Sequence, residues 1–126
     1  MTDPSAAKRL LIIDDDEDLR DIFERYMAKE GFSVSSAEDG LKGLARIAVF
    51  KPDLIVLDLM MPNLNGFEVL HKMQQEKINV PVIVVTGFSQ SANEQIIRQE
   101  PNVVEFVKKP IQYKELTVLI KKVLRV

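Results

Sequence analysis

The sequence predicts an α/β fold, an open five-stranded parallel sheet with helices on both faces. Three observations predict it. Short apolar runs of strand length at Leu10–Ile13 and Leu54–Leu57 are too continuous for strands wetted on one face, and further strands are read at Val80–Val85 and Val103–Val107. Between them lie segments whose apolar residues recur at intervals of three and four, the stripe of an amphipathic helix. The regular alternation of the two patterns implies βαβ units, whose crossovers place helices over both faces of a parallel sheet.

Composition bounds what such a fold can do. A chain of 126 residues suits one domain and needs no staple. The absence of cysteine excludes disulfides, thiol catalysis and zinc-thiolate sites. With 17 basic against 19 acidic residues, the net charge of −2 gives no general electrostatic reason to bind nucleic acid. No apolar run approaches the roughly 20 residues of a membrane span, and Met-Thr-Asp-Pro-Ser lacks the basic and apolar regions of a signal peptide. A cytoplasmic protein without membrane contact is expected.

Residues 1–8 are small and polar without periodicity and read as a flexible leader to a domain spanning 9–126. Leu10-Leu-Ile-Ile13 is the first strand, and it runs directly into Asp14-Asp15-Asp16-Glu17-Asp18. Leu19, Ile22, Phe23, Tyr26 and Met27 then form a helical stripe that ends at Gly31. Capping and the helix macrodipole account for Asp16, Glu17 and Asp18, since carboxylates satisfy orphan N–H groups at a helix start. They do not account for Asp14 and Asp15.

Phe32 to Ser35 alternates as an edge strand, and Ser36-Ala-Glu-Asp39-Gly40 reads as a turn that caps the next helix. Leu41, Leu44, Ala45 and Ala48 mark that helix, in which Gly43 is out of place because an interior glycine costs roughly 1 kcal/mol against alanine. Leu54 to Leu57 is the central strand. It lies between Lys51-Pro52 and the turn residues Pro62 to Gly66, and Asp58 ends it. Phe67, Leu70 and Met73 mark a third helix, beside which His71, the only histidine, reads as a surface imidazole without the partners a metal site needs. Val80 to Val85 ends in Thr86-Gly87, with Pro81 tolerable at its start. Ser89 to Gln99 buries little beyond Ala92, Ile96 and Ile97, so a short, weakly held helix is expected. Val103 to Val107 ends in Lys108-Lys109-Pro110, and Leu116, Leu119, Ile120, Val123 and Leu124 form the last stripe, with Lys121, Lys122 and Arg125 near its C-terminus.

In open α/β sheets, ligands bind where the C-terminal ends of the strands meet a topological switch point. At that edge the sequence places Asp14 and Asp15 after strand one, Asp58 at strand three, Thr86 at strand four and Lys109 at strand five. Converging carboxylates raise one another's pKa unless a cation neutralises them. An all-oxygen donor set with room for water suits Mg²⁺ better than Ca²⁺ or zinc. A carboxylate beside Mg²⁺, a lysine and a hydroxyl can act as nucleophile toward a phosphoryl group. Asp58 is the candidate nucleophile, Asp14 and Asp15 the metal ligands, and Thr86 and Lys109 the donors to the phosphoryl oxygens.

The stretches Leu10-Leu-Ile-Ile-Asp14-Asp15, Asp58-Leu-Met-Met-Pro62-Asn-Leu-Asn-Gly66, Val84-Val-Thr86-Gly87 and Phe106-Val-Lys-Lys109-Pro110 resemble the response-regulator receiver domains of two-component signalling, from Arg9 to Val126. The resemblance implies a flavodoxin-like, CheY-like sheet of order 2-1-3-4-5. It implies that Asp58 accepts phosphate from a histidine kinase or a histidine phosphotransfer protein, with the Met60 backbone carbonyl as a further ligand to Mg²⁺. It also implies that Thr86 and Phe106 form a switch pair that reshapes the face of helix four, strand five and helix five, and that the Lys109-Pro110 bond is cis. One departure is Asn102-Val103-Val104-Glu105 in place of the family's Gly-Ala before strand five, so a different path is expected there. The other is Phe106 in place of tyrosine, which removes a hydroxyl.

Three rival readings fit less well. A cofactor-binding flavodoxin would not place consecutive acids where it must hold a phosphate. An aspartate-nucleophile phosphatase would usually have an acid where Met60 stands, and a receiver-like binding module would not need both Lys109 and the acid pair. The expectation is therefore a stand-alone receiver that catalyses only its own phosphorylation and slow dephosphorylation. It signals through a separate output protein, contacts no nucleic acid, and is a monomer or a phosphorylation-linked dimer. Met60 and Phe88, two positions after Asp58 and Thr86, are apolar and bulky and are expected to shield the phosphoryl group from water.

Overall fold

β1 (Arg9–Ile13), β2 (Ser33–Ala37), β3 (Leu54–Asp58), β4 (Val82–Thr86) and β5 (Val103–Lys108) pair in parallel in the order β2-β1-β3-β4-β5. They alternate with α1 (Glu17–Lys29), α2 (Gly40–Phe50), α3 (Gly66–Gln75), α4 (Ser91–Arg98) and α5 (Tyr113–Leu124). The computed structural model describes residues 7–61, 63–87 and 91–126, with residues 91–94 described by backbone alone.

The period of two along each strand divides the core into two layers. Leu11, Ile13, Ile55, Leu57, Val82 and Val84 face Ile47, Val69, Leu70, Met73 and Ile97. Their neighbours Leu10, Ile12, Leu54, Val56, Ile83 and Val85 face Phe23, Met27, Leu116 and Ile120 on the other side. This two-sided burial is why β1, β3 and β4 read as unbroken apolar runs.

Helix ends follow their side chains. Asp16 caps α1 by accepting the Leu19 N–H at 3.2 Å, Asp39 caps α2 through the Lys42 N–H at 2.8 Å, and Asn65 with Glu68 closes a capping box on α3. Gly43 has a packing reason: a Cβ there would lie 2.6 Å from Ile13 Cδ1, so the glycine lets α2 sit directly on β1. α4 spans 8 residues, the shortest of the helices.

Three strands differ from the sequence expectation. β2 starts one residue later and continues through Ser36 to Ala37, because its ladder with β1 runs to the pair Ile13–Ala37. β4 begins at Val82 and includes Thr86, whereas Val80 and Pro81 precede it. At the start of β5, Val82 pairs with Val103 and Ile83 with Glu105, so Val104 is the extra residue of a bulge. The departure in sequence falls here. Asn102 is buried, donates from Nδ2 to the carbonyls of Ile78 and Val80 at 2.7 and 3.0 Å, and accepts from Gln74 Nε2 at 2.8 Å. Its amide ties the ends of α3 and β5 together. The Lys109-Pro110 peptide is cis.

Candidate functional site

Because every strand runs the same way, all five C-terminal ends reach one edge of the sheet. Asp14 follows β1 and is 1% exposed. Its N–H donates to the Ala37 carbonyl at 3.1 Å, and its Oδ1 accepts the Asp16 N–H at 2.9 Å. Arg20 Nη1 donates to the Asp14 carbonyl at 2.7 Å. The sequence pattern contains no signal for this role of Arg20, which is created by the first turn of α1 folding back over the strand end. Asp15, the next residue, is exposed.

Asp58 is the last residue of β3, 3% exposed, and its Oδ1 accepts the Met60 N–H at 3.3 Å. The loop behind it is held by α3, whose Gly66 N–H donates to the Leu59 carbonyl at 3.1 Å. A Cβ at Gly66 would lie 2.7 Å from the Asp58 carbonyl oxygen, so the turn requires glycine on steric grounds. From the other side, Asn63 Nδ2 donates to Asp39 Oδ2 at 3.5 Å, a long bond that joins the loop to the start of α2.

Carboxylate oxygens of Asp14, Asp15 and Asp58 lie within 4.8 Å of one another. Lys109 Nζ reaches them from β5, 3.0 Å from Asp14 Oδ2 and 3.5 Å from Asp58 Oδ2. Burial, and after it the Asp14 carboxylate, pushes the Asp58 carboxyl up to about 6, against the opposing pull of Lys109 and the Met60 N–H. At Lys109 burial disfavours the charge, but Asp14 and Asp58 outweigh it and hold the ammonium above the ordinary lysine value.

One ammonium does not balance three carboxylates. Asp14 Oδ2 is buried and finds no hydrogen-bond donor beyond the Lys109 ammonium that pairs with it. A buried anionic oxygen so sparsely satisfied, in a cluster of hard oxygen donors, fits a divalent cation. Asp14, Asp15 and Asp58 are the residues whose side chains could hold it, and the all-oxygen set suits Mg²⁺.

Thr86 ends β4 fully buried, and its carbonyl accepts the Lys109 N–H at 2.9 Å. Phe106 is half-buried in β5. Thr86 pairs with Lys108 and Val84 with Phe106, so the period of two puts Thr86 and Phe106 diagonally on the same face of the sheet, toward α4. The Arg98 guanidinium lies over the Phe106 ring, 5.7 Å from its centroid. Met60 is 58% exposed, standing clear of the core on the loop after Asp58. Phe88 lies outside the described residues. His71 is exposed on α3 with its Nε2 3.3 Å from Gln75 Nε2, away from the acids.

The response regulator receiver domain family model matches residues 10–121. Among curated proteins, the chain is 30% identical over 94% of its length to the alkaline phosphatase synthesis transcriptional regulatory protein PhoP of Bacillus subtilis. It is 33% identical over 93% of its length to the response regulator MprA of Mycobacterium sp. strain KMS. It spans about half the length of both relatives, 49% and 50%. Among solved structures, the CheY-like response regulator receiver domain protein of Methanospirillum hungatei superposes with a TM-score of 0.87, at 28% identity and 95% coverage of both chains. The match to the family model runs through every strand and every residue of the acidic pocket, and on that ground the chain belongs to the response-regulator receiver domain family.

Proposed function

We propose that this chain accepts a phosphoryl group on Asp58 from a histidine kinase or a histidine phosphotransfer protein, with Mg²⁺ as cofactor. The observation that carries this reading is the convergence of Asp14, Asp15 and Asp58 with Lys109 at one sheet edge. Asp14, Asp15, Asp58 and the Met60 backbone carbonyl would hold the metal, which when bound neutralises charge on the carboxylates and on the phosphoryl oxygens.

The chain's own residues supply the rest. An Asp58 oxygen attacks phosphorus in line with the bond to the donor imidazole; the O–P bond forms as the P–N bond breaks, and the imidazole leaves with the electron pair. The Lys109 ammonium, already 3.5 Å from Asp58, turns to the transferred oxygens. The Thr86 hydroxyl donates to another of them. Drawing Thr86 toward the phosphoryl group frees space on the sheet face it shares with Phe106, so the aromatic ring moves inward. The face of α4, β5 and α5 then changes shape. A partner that prefers the changed face shifts the equilibrium and receives the signal.

In this reading the chain turns over no separate substrate, and its output target is a separate protein. The length of the curated relatives favours a second reading, in which the target is a further segment of a longer chain. Phosphorylation by acetyl phosphate or a phosphohistidine protein tests the first step. Mass spectrometry is expected to find one added phosphoryl group, absent after Mg²⁺ removal and absent in Asp58→Asn. A label that persists in Asp58→Asn excludes Asp58 as the acceptor.

A further inference from the structure

On the β2 side of the acidic pocket, Arg20, Ser36, Ala37, Glu38, Lys42 and Arg46 line a groove of about 360 Å³. Two guanidiniums are fixed in it by neutral acceptors. Arg20 Nη1 is held by the Asp14 carbonyl at 2.7 Å and Arg46 Nε by Ser35 Oγ at 2.8 Å. A guanidinium has five N–H groups, so each of these has most of its donors uncommitted. Among the described residues neither forms an ion pair, in a chain with 19 acids. The third cation, Lys42, is held by Glu38 on the rim. The two side chains that carry forked donors are thus oriented in advance, and what they lack is an anion.

We propose that this groove binds a phosphate-bearing anion, gripped by the Arg20 and Arg46 forks with Lys42 and the Ser36 hydroxyl completing the shell. Two convergent guanidiniums suit the oxygens of a phosphate, to which each can donate twice, better than a single carboxylate. The ligand is small. Three cations in one groove on a chain of net charge −2 do not make the extended basic track that a nucleic-acid backbone needs. Free inorganic phosphates and phosphate esters share this chemistry. The site is separate from the Asp58 pocket, though Arg20 touches both through the Asp14 carbonyl, so its occupant can alter the acid cluster without entering it.

The test is a titration of the ¹⁵N-labelled full chain with pyrophosphate, and separately with a nucleoside diphosphate, in metal-depleted buffer at constant chloride. Saturable shifts of the Arg20 and Arg46 side-chain N–H resonances and of the Ser36 to Lys42 amides are expected for at least one ligand. Tighter binding of the nucleotide assigns the source to a phosphate ester, and equal binding assigns it to the phosphate alone. Arg46→Gln is expected to weaken binding by about tenfold and Glu38→Gln to tighten it by about threefold, because the first removes a fork and the second removes the competing carboxylate. Glu38 is an exposed rim residue, so its variant remains informative if loss of the Ser35 partner perturbs Arg46→Gln. Shifts that do not saturate, that centre on Lys109, or that are unchanged in both variants overturn the proposal.

Discussion

The Lys109 ammonium stands 3.0 Å from Asp14 Oδ2, closer than to Asp58. The lysine is the counter-ion of the acid cluster. If Asp14 holds Mg²⁺ as proposed, lysine and metal compete for it. Lys109→Met is expected to tighten Mg²⁺ binding by up to about fivefold, for the ~1 kcal/mol that one partly screened ion pair is worth. The same change is expected to slow phosphoryl transfer to Asp58 by about a hundredfold or more, as for removal of one donor to a developing charge. Calorimetric Mg²⁺ titration and single-turnover phosphorylation measure the two effects; weaker Mg²⁺ binding in the variant contradicts the competition.

The Asp58 carboxyl predicts an unusual pH dependence of stability in metal-free buffer. Its pKa is about 6 in the folded protein against an ordinary value of 3.8, so the folded state binds the proton more tightly than the unfolded state. This contribution is fully present below pH 3.8 and is lost as pH rises through about 6. The loss amounts to at most about 3 kcal/mol by linkage. Asp58→Asn lacks the ionisation and is expected to be more stable than the wild type above pH 7, with the difference closing below pH 4. Urea denaturation of the pair across this range reads it, and a constant difference between them refutes the shift.

We propose that Met60 and Phe88 set the lifetime of the phosphorylated form. Hydrolysis needs an oriented water in line with the P–O bond, and an exposed thioether beside Asp58 cannot orient one. Met60→Asn is expected to speed decay after removal of the donor by about tenfold, the effect of one hydrogen bond of ~1.4 kcal/mol in the transition state. Met60→Asn/Phe88→Glu is expected to decay faster still. Decay of the double variant at the wild-type rate removes these side chains as the determinant.

Arg98 over the Phe106 ring links the end of α4 to the aromatic of the proposed switch pair. The guanidinium favours the ring in its half-buried position by about 0.5–1 kcal/mol. Arg98→Ala is expected to shift the Phe106 ring resonances toward the phosphorylated spectrum and to raise binding of an output partner to the unphosphorylated chain several-fold. An unchanged Phe106 spectrum in Arg98→Ala would show that the contact does not bias the ring.

The set of elements and the edge on which the site is built are legible in the residues alone. Runs such as Leu54-Ile-Val-Leu57 specify strands through their length and flanking turn residues, and stripes such as Leu116, Leu119, Ile120 and Val123 specify helices through their period. Once strands and helices alternate, chain direction brings Asp14, Asp58, Thr86 and Lys109 to one end without further information. The rest depends on contacts between distant segments. Asp14 and Asp15 are adjacent and identical in sequence, yet one is buried and the other exposed, because Asp14 still pairs with the Ala37 carbonyl at the end of β2 and meets Lys109, while Asp15 lies one residue beyond that last bond. β2 extends to Ala37 because β1 offers a ladder that far, and the bulge at Val104 follows Asn102, whose amide holds the carbonyls of Ile78 and Val80. The fixing of Arg20 by the Asp14 carbonyl and the stacking of Arg98 over Phe106 have no sequence period behind them. They exist because long cationic side chains settle on whatever acceptor or ring the packed helices bring within reach.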